Sequence, residues 1–133
     1  MISKELLCEV LNVKNRFKCD ILSIKINDNF LFYKLNRIKN PTKRINIHQL
    51  ADKCKEWAWD KFQIDILIIK DGVKLDANHW RRNVYLQKNG KTIHFFGSHS
   101  NDIPFHNDNI AMVKACQWIL DEEIKILIKS LYY

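Results

Sequence analysis

Apolar residues recur along this chain with two different periods. Over residues 46–62, NIHQLADKCKEWAWDKF, Ile47, Leu50, Ala51, Cys54, Trp57, Ala58 and Phe62 stand three and four apart, which is one face of a helix. Asn46 and Gln49 hold the first and fourth positions of a capping box. Trp59 stands off the stripe, about 200° around the helix from Trp57, so it points away from the core that the helix covers. A second long helix is predicted over 108–131, capped by Asn107 or Asp108 and burying Met112, Ala115, Cys116, Ile119, Leu120, Leu127 and Leu131. At about 36 Å it is longer than a small sheet needs. Its apolar end (Ile126, Ile128, Leu131, Tyr132, Tyr133) either overhangs onto another subunit or packs on the N-terminal part of the same chain. A short helix at 4–12, capped by Ser3, buries Leu6, Leu7, Val10 and Leu11.

Elsewhere the period is two, or the run is continuously apolar. Strands are predicted at 21–26 and 30–36, joined by Asn27-Asp28-Asn29. The second of these, FLFYKL, is nearly all apolar, which implies cover on both faces. A central strand is predicted at 64–70, with Asp71-Gly72 as a turn and 73–82 as a loop. Strands 83–88 and 91–97 form a hairpin across Asn89-Gly90. Residues 37–44, with Asn40-Pro41, and 97–107, with Pro104, read as loops. The predicted fold is α+β: an antiparallel sheet of about five strands, two main helices packed on one face and a short N-terminal helix. The other face would be partly open or covered by an N-terminal element. One domain spans 1–133, with a helix–hairpin element at 1–45 and an α-β-β-β-α unit at 46–133.

Composition narrows this picture little. A chain of 133 residues with 47% hydrophobic and 28% charged residues can build a core without staples. No apolar run approaches the length of a membrane span, about 20 residues. The start, MISKELLCEVL, has an early Lys and Glu and no cleavage site, so it does not read as a signal peptide; a cytoplasmic protein with no membrane partner is expected. Cys8, Cys19, Cys54 and Cys116 form no C-x-x-C pair and are read as free thiols rather than disulfide or metal ligands. Only three glycines occur, and no glycine-rich phosphate cradle is present, so no cofactor is implied.

Charge changes the picture more. Between 14 and 44 stand nine cations and two acids, a net +7 that equals the formal charge of the whole chain. The remaining residues balance, 13 against 13. Part of the lysine content is compositional, since Lys outnumbers Arg 17 to 5, but drift does not explain segregation. A segregated basic segment suits an anionic partner. The candidate nucleic-acid residues are Lys14, Arg16, Lys18, Arg37, Lys39, Lys43 and Arg44, with Trp59, Trp80, Arg81 and Arg82. Cations neutralise phosphates and exposed aromatic rings stack on bases. The plainer alternative is a solvated lysine face, with Trp80 plugging one end of the sheet. His94, His99 and His106, with Asp102 and Asp108 nearby, are the weak metal or hydrolytic candidate; their H-x4-H-x6-H spacing matches no standard ligand pattern. Ser98-His99-Ser100 with Asp102 lacks a nucleophile elbow, so no catalytic residue is assigned.

NIHQLADKCKEWAWDK and AMVKACQWIL together resemble small bacterial proteins of prophages and other mobile elements, over roughly 46–120. That resemblance implies a genomic context and no activity. The α-β-β-β-α order is similar, in topology alone, to double-stranded RNA-binding domains. Those bind through the first helix, the loop between the first two strands and a lysine cluster opening the last helix. In this chain that loop holds His79, Trp80, Arg81 and Arg82, while Asn107-Asp108-Asn109-Ile110 replaces the lysine cluster and the Gly-Pro-x-His pattern is missing. The expected function is a small non-enzymatic protein contacting nucleic acid through its basic segment. The alternative is a protein-interaction module, an inhibitor or accessory subunit, using Trp59 and the apolar end of the last helix, with self-association through that end.

Overall fold

A computed structural model describes residues 2–15, 18–27, 29–76, 79–96 and 108–132; at 14, 15, 18, 71–76, 79–81 and 124–132 the description is of backbone alone. The elements run α1 (Lys4–Leu11), β1 (Lys14–Asn15), β2 (Lys18–Cys19), β3 (Ile21–Ile26), β4 (Phe30–Leu35), β5 (Thr42–Asn46), α2 (Ile47–Phe62), β6 (Asp65–Asp76), β7 (His79–Lys88), β8 (Lys91–Phe96) and α3 (Asp108–Tyr132). The α+β class is as expected. The single five-stranded sheet is not. The strands form two three-stranded antiparallel sheets, β3-β4-β5 and β6-β7-β8, beside a two-residue ladder between β1 and β2. The division falls at α2. Asn46 is both the last residue of β5 and the cap of α2, so the chain leaves the first sheet directly into the helix.

Local chemistry sets the boundaries. The Ser3 hydroxyl accepts from the Leu6 amide at 3.1 Å to start α1, and Asn12 ends it at φ 54°. The Asn46 side chain accepts from the His48 amide at 2.8 Å, so the cap closes one residue earlier than the capping box implies. Asn27 Oδ1 accepts from the amides of Asn29 and Phe30, closing the β3–β4 connection. Asn89 at φ 53° and Gly90 at φ 76° give the predicted hairpin its two left-handed residues.

Two expected loops are strands. Thr42 to Asn46 pairs with β4 in register, Phe32 opposite Arg44 and Lys34 opposite Thr42. The loop shrinks to a turn in which Asn40 donates to the Arg37 carbonyl, and the Leu35 amide donates to the carbonyl of Pro41. Cations are tolerated in β5 because an edge strand has one free side. The second case is longer. β6 continues through Asp71-Gly72 to Asp76 and β7 begins at His79, where a turn and a loop over 73–82 are predicted. The register breaks between Lys70 and Lys74, so Asp71-Gly72 marks an irregularity within a strand.

The buried residues of every layer join one core. Leu6, Leu7 and Cys8 of α1, Leu31 and Leu35 of β4, Leu50 and Cys54 of α2, Val84 and Leu86 of β7, and Ala115 and Cys116 of α3 all belong to it. α2 and α3 pack on each other as expected, and α1 joins them. The helices meet both sheets: α1 contacts β3, α2 contacts β5 and β6, and α3 contacts β6 and β7. Glu9 of α1 accepts from Trp57 Nε1 at 3.4 Å and pairs with Lys61 at 3.4 Å, tying α1 to α2. No described helix is long and apolar enough to cross a membrane.

The cysteines divide in a way their spacing does not announce. Cys54 and Cys116 are buried free thiols, as expected. Cys8 and Cys19 are joined in a disulfide, which corrects the free-thiol reading for that pair. Their Cα atoms lie 5.8 Å apart because β2 folds back over α1, a proximity that only the tertiary fold creates. Disulfides persist in oxidising surroundings and are rare in the cytosol.

Candidate nucleic-acid interface

The pleat of β4 sorts its six residues into two sets. Leu31, Tyr33 and Leu35 are buried, while Phe30 and Phe32 are half-buried and Lys34 is exposed. The apolar run is therefore covered on one side, not two. Pairing with the edge strands extends the alternation into a grid on the outer face. Ser23, Lys34 and Thr42 lie abreast, and Lys25, Phe32 and Arg44 lie abreast in the next row. Phe30 stands opposite Asn46 in the row after that. These residues surround a shallow depression of about 410 Å³ lined by Ser23, Lys25, Asn27, Phe32, Lys34 and Thr42.

The electrostatics of this face are one-sided. The strands ILSIKI, FLFYKL and TKRIN contain no acid. Among the described residues Lys25, Lys34 and Arg44 have no ion-pair partner. The Arg44 guanidinium lies 4.8 Å from the centre of the Phe30 ring, a cation–π contact that holds its plane on the sheet. The Phe30 and Phe32 rings are 6.2 Å apart and inclined at 47°. Three cations unpaired among the described residues and two aromatic rings thus share one surface.

Most of the described residues singled out in the sequence lie elsewhere. Arg37 donates to Asp20 at 2.7 Å, and that carboxylate is 96% buried, so Arg37 neutralises an interior acid. Lys39 stands at φ 67° in the turn. Lys43 alternates with Arg44 and so projects from the opposite side of β5, although it too is exposed. Arg82, nearly buried, donates to Asp108 at 2.8 Å and fastens β7 to the start of α3. Trp59 is 55% exposed in the last turns of α2, facing away from the core as its position around the helix predicts. The side chains of Lys14, Lys18, Trp80 and Arg81, and all of Arg16, lie outside the described residues. Of the candidate cations whose side chains are described, Arg44 alone falls in the grid. Lys25, Phe30, Phe32 and Lys34, which share this face with Arg44, are not among the candidates named from the sequence. F-L-F-Y-K-L alternates large buried residues with two phenylalanines and a lysine.

Of the three candidate histidines, His94 is described. The His94 ring is stacked on Trp118 at 3.9 Å and meets Phe96 edge-on at 4.5 Å, within the packing of β8 on α3. His99 and His106 lie outside the described residues, and no group of metal-ligating side chains occurs among those described. A second depression, about 390 Å³, is lined by Glu9, Lys53, Glu56, Trp57, Asp60 and Lys61. Its charges are mixed, and its Glu9 and Lys61 are paired with each other.

The outer face of the second sheet has another character. Leu67, Ile69, Ile93 and Phe95 are 42–48% exposed, and Phe95 packs on Tyr85 at 4.9 Å. One outer face is cationic and aromatic, the other apolar. Comparison with protein-family models, curated proteins and solved structures returns no match.

Proposed function

We propose that this protein binds nucleic acid through the outer face of β3-β4-β5. The observation that carries the reading is the grid itself, in which Lys25, Lys34 and Arg44 are free of described carboxylates and share a surface with two phenylalanines. Cations held without partners attract a polyanion and release its counterions. The basic segment contributes through alternate positions of its strands rather than through the turn that precedes β5.

Three phosphate contacts imply a slope of about −2 in a plot of log affinity against log salt, or about a 15-fold loss for a fourfold rise in salt. Fluorescence anisotropy with a labelled mixed-sequence oligonucleotide measures this. Lys25→Glu, Lys34→Glu and Arg44→Glu together should abolish binding without shifting the melting temperature by more than a few degrees, since all three side chains are exposed. Absence of binding at low salt, or binding that survives the triple reversal, would sink the reading.

A protein-interaction module is the second reading. What favours it is the apolar outer face of β6-β7-β8, because contiguous exposed apolar surface commonly marks a protein contact. Trp59 would add to such a module if its partner reached the end of α2.

A further inference from the structure

We infer that the ligand of the β3-β4-β5 face is a single-stranded nucleic acid whose bases stack on Phe32. The inference rests on the reading of this face as a nucleic-acid surface and goes beyond it in naming the form of the strand and the atoms that hold it. Two planar groups are presented side by side, the Phe32 ring and the Arg44 guanidinium on Phe30. Both are surfaces on which an unpaired base can stack. Lys25 and Arg44 flank Phe32 on the neighbouring strands, and Lys34 follows it two residues on, so phosphates on either side of a stacked base meet a cation.

A duplex fits this face poorly for three reasons. Its bases have both π-faces occupied by neighbours, so none can reach a side chain on a sheet. Its successive bases are about 3.4 Å apart along each strand, whereas the two rings are centred 6.2 Å apart, which suits an extended strand with one base on Phe32 and the next on the Arg44 plane over Phe30. Its major groove admits a helix or a two-stranded ribbon, and this surface is three strands broad. The guanidinium fork of Arg44 is laid against the Phe30 ring rather than left free to grip a base edge, so the selectivity is for strand form rather than sequence. The Ser23 and Thr42 hydroxyls at the rim add hydrogen bonds without adding a code.

The test uses the full chain with three labelled probes of equal charge: a single-stranded oligonucleotide, a duplex of half its length, and poly-glutamate. The single strand should bind at least about tenfold more tightly than the duplex or poly-glutamate. Phe32→Leu, which keeps the apolar volume and removes the ring, should cost about tenfold in single-strand affinity, the effect of losing one stacked base. Its salt slope should be unchanged, because no cation is lost. Phe32→Tyr and Phe32→Trp should bind like the wild type. Melting temperatures of all three variants show whether the fold is intact. Equal affinity for duplex and single strand, with no effect of Phe32→Leu, overturns the stacking inference and leaves the cationic-face reading standing. Equal affinity for poly-glutamate overturns it as well, because the face would then be a general polyanion surface. No binding of either oligonucleotide at low salt removes both readings together.

Discussion

The Cys116 thiol donates to the Cys54 carbonyl at 3.2 Å, between α2 and α3. Its hydrogen bonding with Cys54, then burial, then the nearness of the Cys54 thiol hold it protonated far above the ordinary thiol range. Cys8, by contrast, is spent in the disulfide with Cys19. Both statements are checked by one titration with a thiol reagent under mildly alkaline conditions. The native, unreduced protein should show no reactive thiol, the unfolded protein two, and the unfolded and reduced protein four. Four thiols without reductant would show that Cys8 and Cys19 are not joined. Single residues also show where sequence stops being informative. Arg82 beside Trp80 and Arg81 reads as a cation offered to a ligand. Its partner, Asp108, is 26 residues away, and nothing short of the fold brings them together. Arg37 and Asp20 are a similar case, 17 residues apart. Lys25 and Lys34 are the reverse, lysines with no local distinction that the sheet leaves without a described carboxylate.

At the scale of elements, periodicity is a sound guide wherever one face meets the core. The stripe of α2, the cap at Asn46, the Asn89-Gly90 hairpin and the start of α3 all follow from side-chain spacing and turn chemistry. It is a poor guide for strands whose existence depends on a neighbour. β5 reads as loop because Pro41 and two adjacent cations break any apolar pattern, yet its backbone completes the hydrogen bonding of β4. β4 itself is the more consequential case. A strand of apolar residues can be covered on both faces or on one, and large aromatic residues look alike in either setting. The burial pattern along β4 makes a prediction that separates the two. Leu31→Ala, at a fully buried position, should lower the stability by about 3 kcal/mol in urea unfolding. Phe32→Leu, on the outer face, should cost less than about 1 kcal/mol. Costs in the opposite order would mean that the strand faces the other way and that no aromatic ring lies on the outer surface.

For the whole molecule, the important fact is that two sheets replace one. A single sheet packed against helices has one outer face; this fold has two, and they differ. The first is cationic with aromatic rings, and the second carries Leu67, Ile69, Ile93 and Phe95 at the surface. If a second copy of the chain covers the apolar face, light scattering should detect a dimer, and Leu67→Lys with Phe95→Lys should return it to a monomer. A wild-type monomer at every concentration would exclude that arrangement. Dimerisation through this face would leave the cationic face free, so the two surfaces are open to independent test.

The sequence by itself determined the α+β class, the helix faces, the hairpin turn and the concentration of positive charge in the first third of the chain. These depend on neighbours within a few residues, where spacing fixes geometry. The tertiary structure alone decided which cations remain free, which cysteines meet, where the chain changes sheets and which side of β4 is open. Each of those depends on what a distant strand or helix brings to within a few ångströms, and no local spacing encodes it.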